Sequence, residues 1–108
     1  MTIADNGDIL IANFGMNFME RMKRNGDTAV MFETLNDGEW PGRLNFVVRD
    51  SRNRLRITVS TMIDDYMPAS INKDVIDGRI VLYEKGKGVR VVAENIHFAN
   101  ECRLDANE

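Results

Sequence analysis

The sequence predicts a mainly β domain: a small antiparallel barrel of five strands, with a short helix between the third and fourth strands and a strand or helix ahead of the first. Three observations predict it. Runs rich in β-branched and aromatic residues begin at Thr28, Leu44, Leu55 and Arg79, and again after Gly86-Lys87-Gly88. Leu55, Ile57 and Val59 alternate with Arg56, Thr58 and Ser60, the period of a strand with one face on a core and one in water. The one interruption, 62–77, holds Pro68 and then a polar run whose Ser70 is placed to cap one or two helical turns. Three strands, a short helix and two strands is the OB-fold order, a partly open Greek-key barrel. An SH3-like barrel or an open antiparallel sheet would give a similar string.

Taken in order, residues 1–8 are small and polar and are expected to be flexible. Residues 8–24 satisfy two patterns. Ile11, Phe14, Phe18 and Met22 recur at spacings of three and four, a helical stripe with Asp8 as N-cap and Asn25-Gly26 as its stop. Gly15 would cost that helix about 1 kcal/mol, and Asp8–Phe14 also reads as a short buried strand. Helix is favoured for 16–24, and 9–14 stays open. Thr28–Thr34 is a strand candidate. Leu35–Gly42, with Asn36-Asp37-Gly38 and Pro41, is a loop.

Leu44–Asp50 and Leu55–Thr61 flank Ser51-Arg52-Asn53-Arg54 as a hairpin. A second hairpin runs from Arg79 to Phe98 and turns at Gly86-Lys87-Gly88, where glycine tolerates positive φ. The adjacent Val91 and Val92 imply either a strand buried on both faces or a bulge. Residues 100–108 form a short acidic tail. The 108 residues are expected to make a single domain spanning 1–108.

Apolar residues are 44% and charged residues 29% of the chain, the balance of a soluble globular protein. No run approaches the ~18 apolar residues of a membrane span, and no secretory signal is expected at the N-terminus. The single Cys102 fits a reducing, cytoplasmic setting. Catalysis has little support. His97 is the only histidine, and no Ser or Cys lies in a nucleophile motif. Cys102 with His97 falls short of the four ligands zinc wants. Asp64, Asp65, Asp74 and Asp77 lack EF-hand spacing and read as a solvated loop. Gly86-Lys87-Gly88 lacks the spacing of a phosphate-cradling loop. No enzyme activity, cofactor or metal is expected.

The net charge of -3 is unevenly spread: five arginines at 43, 49, 52, 54 and 56 face only Asp50 between Pro41 and Ser60. A basic surface within an acidic whole is compatible with phosphate binding. Single-strand binders combine such cations with aromatic faces for base stacking. Trp40 lies in an exposed loop context beside Arg43, and Tyr83 alternates with Arg79, Val81 and Lys85. Phe46, in phase with Leu44 and Val48, is expected in the core, as are Phe14, Phe18, Phe32 and Phe98. The candidate nucleic-acid-binding set is therefore Trp40, Arg43, Arg49, Arg54, Arg56, Arg79, Tyr83, Lys85, Lys87 and Arg90, with Arg52 among the phosphate contacts. Five engaged phosphates would give a log–log salt slope near ~-3.5.

Val-Arg-Val-Val-Ala-Glu-Asn-Ile-His-Phe at 89–98 resembles the closing strand of bacterial-type single-stranded DNA-binding proteins. Asn-Gly-Asp-Ile-Leu-Ile-Ala-Asn-Phe-Gly at 6–15 is similar to that family's opening strand. The resemblance covers both ends of the chain and little between 36 and 78, and the acidic tail ending in Pro-Phe is missing. It implies an OB fold, residues 9–14 as a strand, and single-stranded DNA binding of a divergent member such as phages or plasmids carry. Trp40 is the counterpart of a stacking aromatic there. The partners expected are single-stranded DNA, or RNA, a second copy of the chain in a homo-oligomer, and a replication or host protein, with no membrane. The rival reading is a small protein-interaction module, a phage-type adaptor or inhibitor on the same barrel.

Overall fold

The computed structural model describes residues 1–108. Eight strands form two four-stranded antiparallel sheets, each a simple meander. The first holds β1 (Thr2–Ile3), β2 (Ile9–Asn13), β3 (Phe18–Met22) and β4 (Thr28–Phe32). The second holds β5 (Leu44–Arg49), β6 (Leu55–Val59), β7 (Gly78–Glu84) and β8 (Gly88–Ile96). The one helix, α1 (Tyr66–Ile71), lies between β6 and β7. No strand of one sheet pairs with a strand of the other, so the expected five-stranded OB-fold-like barrel is not formed.

The correction has a local cause. The stripe Ile11, Phe14, Phe18, Met22 belongs to a hairpin, with β2 and β3 paired from Ile9↔Met22 to Asn13↔Phe18. Its turn is set by asparagines. Asn13 Oδ1 accepts the Met16 N–H at 3.0 Å, and Asn17 takes φ 61°, a left-handed conformation that asparagine tolerates better than most residues. Asn25-Gly26, taken as a helix stop, is instead the turn between β3 and β4, with Gly26 at φ 92°. The Thr28 strand is thereby drawn to the N-terminal sheet, and the barrel order is lost. Residues 2 and 3 pair with β2 at Thr2↔Leu10 and Ile3↔Ile9. Helix α1 begins at Tyr66, upstream of Ser70, whose hydroxyl donates to the Met67 carbonyl rather than capping a helix start.

The sheets share one core, in which Leu10 and Met19 of the first meet Leu44, Val47, Leu55, Ile57, Val59, Val81 and Val89 of the second. Phe46 is only half-buried, because the β5–β6 register shifts between Leu44 and Phe46. The bulge puts Val47 in the core position that strict alternation assigned to its neighbours. Phe14, Phe18, Phe32 and Phe98 are likewise half-buried, and of these Phe32 packs against the core.

The second face of β6 is not in water. Thr58, Ser60 and Thr61 are buried, and the chain beyond β8 covers the first two. Thr58 Oγ1 donates to the Asn100 carbonyl at 2.6 Å, and Ser60 Oγ to the Ala99 carbonyl at 2.8 Å. Thr61 Oγ1 donates to Asp77 Oδ1 at 2.8 Å. Every buried side-chain polar atom has such a partner, as burial away from water requires. The edge strands β4 and β8 each carry an extra residue, at Met31 and at Val92, a feature that blunts an open edge. Helix α1 is too short to cross a membrane.

Candidate nucleic-acid interface

The turns β1–β2, β3–β4, β5–β6 and β7–β8 all fall at one end of the two sheets, where Arg49 donates to the Ile3 carbonyl and Asn6 and Arg21 line one cavity together with Asn53 and Lys85. The β5–β6 turn is organised by Asp50, whose side chain is fully buried. Its Oδ1 accepts the backbone N–H groups of Arg52 and Arg54, both at 2.9 Å. Its Oδ2 accepts Arg54 Nε at 2.7 Å and an Arg56 guanidinium N–H at 2.9 Å. Burial alone would raise this carboxyl, but the hydrogen bonds from Arg54, Arg56 and Arg52 together overcome it and hold it down at about 2. Asn53, at φ 60°, completes the turn.

Next to it, the β7–β8 connection is Lys85-Gly86-Lys87, closed by a 2.9 Å bond from the Lys87 N–H to the Glu84 carbonyl. Gly86 sits at φ 84°, where a Cβ would be strained. Glu84 receives Arg90 at 2.7 Å and lies 3.9 Å from Arg54. The Arg90 hydrogen bond is the main reason its carboxyl sits below the ordinary value.

These pairings sort the predicted cations. Arg54, Arg56 and Arg90 are held by Asp50 and Glu84. Arg43 and Arg79 lie at the opposite end. Arg43 donates to Asp64 at 2.8 Å and stands over the rings of Phe14 and Tyr66, while Arg79 pairs with Glu39 at 3.3 Å. Arg49 donates to the Ile3 carbonyl at 2.7 Å and to Asn53 at 2.6 Å. Arg52, Lys85 and Lys87 have no acidic partner and are exposed.

Two of the cavities at this end adjoin through shared residues. The larger, about 350 Å³, opens between the sheets; Leu10, Met31, Leu55 and Tyr83 line it with Asn6 and Arg21. The smaller, about 230 Å³, is walled by Arg52, Asn53, Arg54, Glu84, Lys85 and Lys87, with no apolar residue. Asn53 and Lys85 border both. One face of the Tyr83 ring is stacked on Phe32, with centroids 5.7 Å apart and planes at 16°. Trp40 lines neither cavity; it is half-buried in the β4–β5 connection, next to the Glu39 that pairs with Arg79.

No family model, curated protein or solved structure matches this chain. The cleft therefore has to be judged on its own chemistry.

The structure thus gathers Tyr83, Lys85, Lys87, Arg49 and Arg54 with Arg52, and leaves Trp40, Arg43 and Arg79 elsewhere. Sequence reasoning missed Asn6 and Arg21. A usable signal existed: Asn6-Gly7 between Ile3 and Ile9 is a hairpin dipeptide, and it brings the N-terminus to the cleft.

Proposed function

We propose that the protein binds single-stranded DNA with little sequence preference, through the cleft at the turn end of the two sheets. The observation that carries the reading is the placement of three unpaired cations, Arg52, Lys85 and Lys87, around a polar cavity that adjoins, through Asn53 and Lys85, the one lined by the half-buried Tyr83. Cations tracking phosphates beside a stacking ring are what single-strand binding needs. The internal ion pairs lower the number of phosphates engaged. Three contacts give a log–log salt slope of about -2, shallower than the five-contact expectation.

The test is fluorescence anisotropy of a labelled oligo-dT against the wild type and the triple variant Arg52→Glu, Lys85→Glu, Lys87→Glu. Binding at low salt, a slope of about -2 and a loss of at least ~10-fold in the variant are expected. Equal binding by both proteins, or none by the folded wild type, overturns the proposal.

A second reading, docking to a protein, is favoured by one observation at the other end. Met67 and Ile71, one turn apart on α1, are 59% and 84% exposed, unusual for apolar side chains on a short helix. Oligo-dT titration of an Ile71→Ser variant separates the readings, since DNA binding at the turn end leaves its affinity unchanged.

A further inference from the structure

We infer that the cleft takes one nucleobase at a time: a single base enters the inter-sheet cavity beside Tyr83, while its flanking phosphates lie along Arg52, Lys85 and Lys87. The inference rests on the DNA-binding reading and adds the unit that is recognised.

The two cavities differ in chemistry as a base and a phosphate do. A nucleobase offers apolar faces and a polar edge; a phosphate offers only charge. The inter-sheet cavity has Leu10, Met31, Leu55 and Tyr83 for faces. For an edge it has Asn53 and Asp5, which hold each other through a bond stretched to 3.5 Å, weak enough to be exchanged for an incoming partner. The adjoining cavity is entirely polar, and three of its cations have no acidic partner. The two share Asn53 and Lys85, so a base in one leaves its own phosphate at the entrance to the other.

The limit of one base follows from the aromatic count. Platforms for successive bases use successive aromatic side chains. Here Tyr83 is the only aromatic residue lining either cavity. Its neighbour Phe32 already covers one face of the ring. Behind the cavity, Leu10 and Leu55 are 3% and 2% exposed, so the core closes it to a second base. At about 350 Å³ the cavity is at the small end of ligand sites.

The experiment uses the whole protein and a set of six-nucleotide strands: one fully abasic, and others with one, two, three or six thymines at consecutive positions. One thymine should raise the affinity over the abasic strand by about 10-fold or more, the lower part of the range for one stacked base. Each further thymine should add no more than the statistical factor for an extra place to bind. Tyr83→Leu should remove the one-thymine gain and leave the abasic strand's affinity unchanged. A steady multiplicative gain with each thymine overturns the one-base inference and leaves DNA binding intact. Binding of no strand, including the six-thymine one, overturns the DNA reading itself. If Tyr83→Leu does not fold, the thymine series in the wild type decides alone.

Discussion

Asp50 is the residue whose removal tests the account of the turn end most directly. It is buried, charged and bonded to four donors, two from the backbone and two from guanidinium groups. Asp50→Asn separates the two kinds of contact. The amide keeps an oxygen for the Arg52 and Arg54 N–H groups and loses the anion that faces Arg54 and Arg56. The carboxyl falls from an ordinary 3.8 to about 2 on folding, which by linkage corresponds to ~2 kcal/mol of charge-dependent stability. Allowing for solvent around the partly exposed arginines brings the loss for Asp50→Asn to about 1–2 kcal/mol. Asp50→Ala also strands the turn's N–H groups, and breaking a buried pair in this way brings the loss to about 3 kcal/mol.

The assay is urea unfolding followed by Trp40 emission. With a urea slope of ~1.5 kcal/mol/M for a small domain, the Ala variant should unfold about 2 M earlier than the wild type, and the Asn variant about 1 M earlier. The pH dependence gives a second check. Because the folded carboxyl is depressed, its stabilisation is fully present above about pH 4. It is lost as the pH falls through about 2. The gap between wild type and Asp50→Asn should therefore close over that window. An Asp50→Asn protein within about 0.5 kcal/mol of wild type at neutral pH, or a gap that does not change down to about pH 2.5, would refute the reasoning.

Three further outcomes are expected. Gly78→Ala should be among the most destabilising single changes, by ~2–3 kcal/mol in the same urea assay, because the added methyl would sit 2.5 Å from the Ile96 carbonyl oxygen and 3.0 Å from that of Ser60. Asn95, at φ 61° where the β7–β8 register shifts between Gly78 and Ile80, should accept glycine with a gain of a few tenths of a kcal/mol. It should reject valine at a cost of ~1–2 kcal/mol, read from thermal midpoints. Trp40 emission should stay constant while oligo-dT saturates the cleft, since the ring lines neither cavity; quenching that follows the anisotropy curve would place the strand elsewhere.

Much of the second sheet was legible in the sequence because its signals are local. The alternation of Leu55, Ile57 and Val59 and the glycine turn at 86–88 each specify a feature without reference to anything distant, and both hairpins form. Of the two readings that the doubled valine left open, a strand buried on both faces or a bulge, the bulge is the one formed, since Val81 pairs with Val91 and Ile80 with Ala93. The first sheet was obscured by a coincidence of spacing. Two five-residue strands joined by a four-residue turn place apolar residues three and four apart at Ile11, Phe14, Phe18 and Met22, as a helix does. Periodicity cannot separate the two. The asparagines can: Asn6-Gly7 and Asn25-Gly26 each join two strands of this sheet, and Asn17 supplies the left-handed residue of the remaining turn. Their turn chemistry outweighs the apolar stripe.

The arginines show why a charge run misleads about a site. Between 41 and 60 the tally of five cations to one acid suggests an open basic surface. Yet one buried carboxylate can hold two guanidinium groups and two backbone donors at once, and Asp50 does so. Glu84, distant in sequence, takes Arg90 and stands near Arg54. What is left for a phosphate is decided by which cations have no acid within reach, and that depends on the folded register of β6, β7 and β8. Lys85 and Lys87 share a cavity wall with Glu84, but that carboxylate is taken by Arg90 and neither lysine forms an ion pair with it. Arg52 stays unpaired because its backbone N–H, not its side chain, is what Asp50 binds. The residues with a net charge to offer are thus the turn residues, and a glutamate at each of the three would remove the site while leaving the Asp50 and Glu84 network in place.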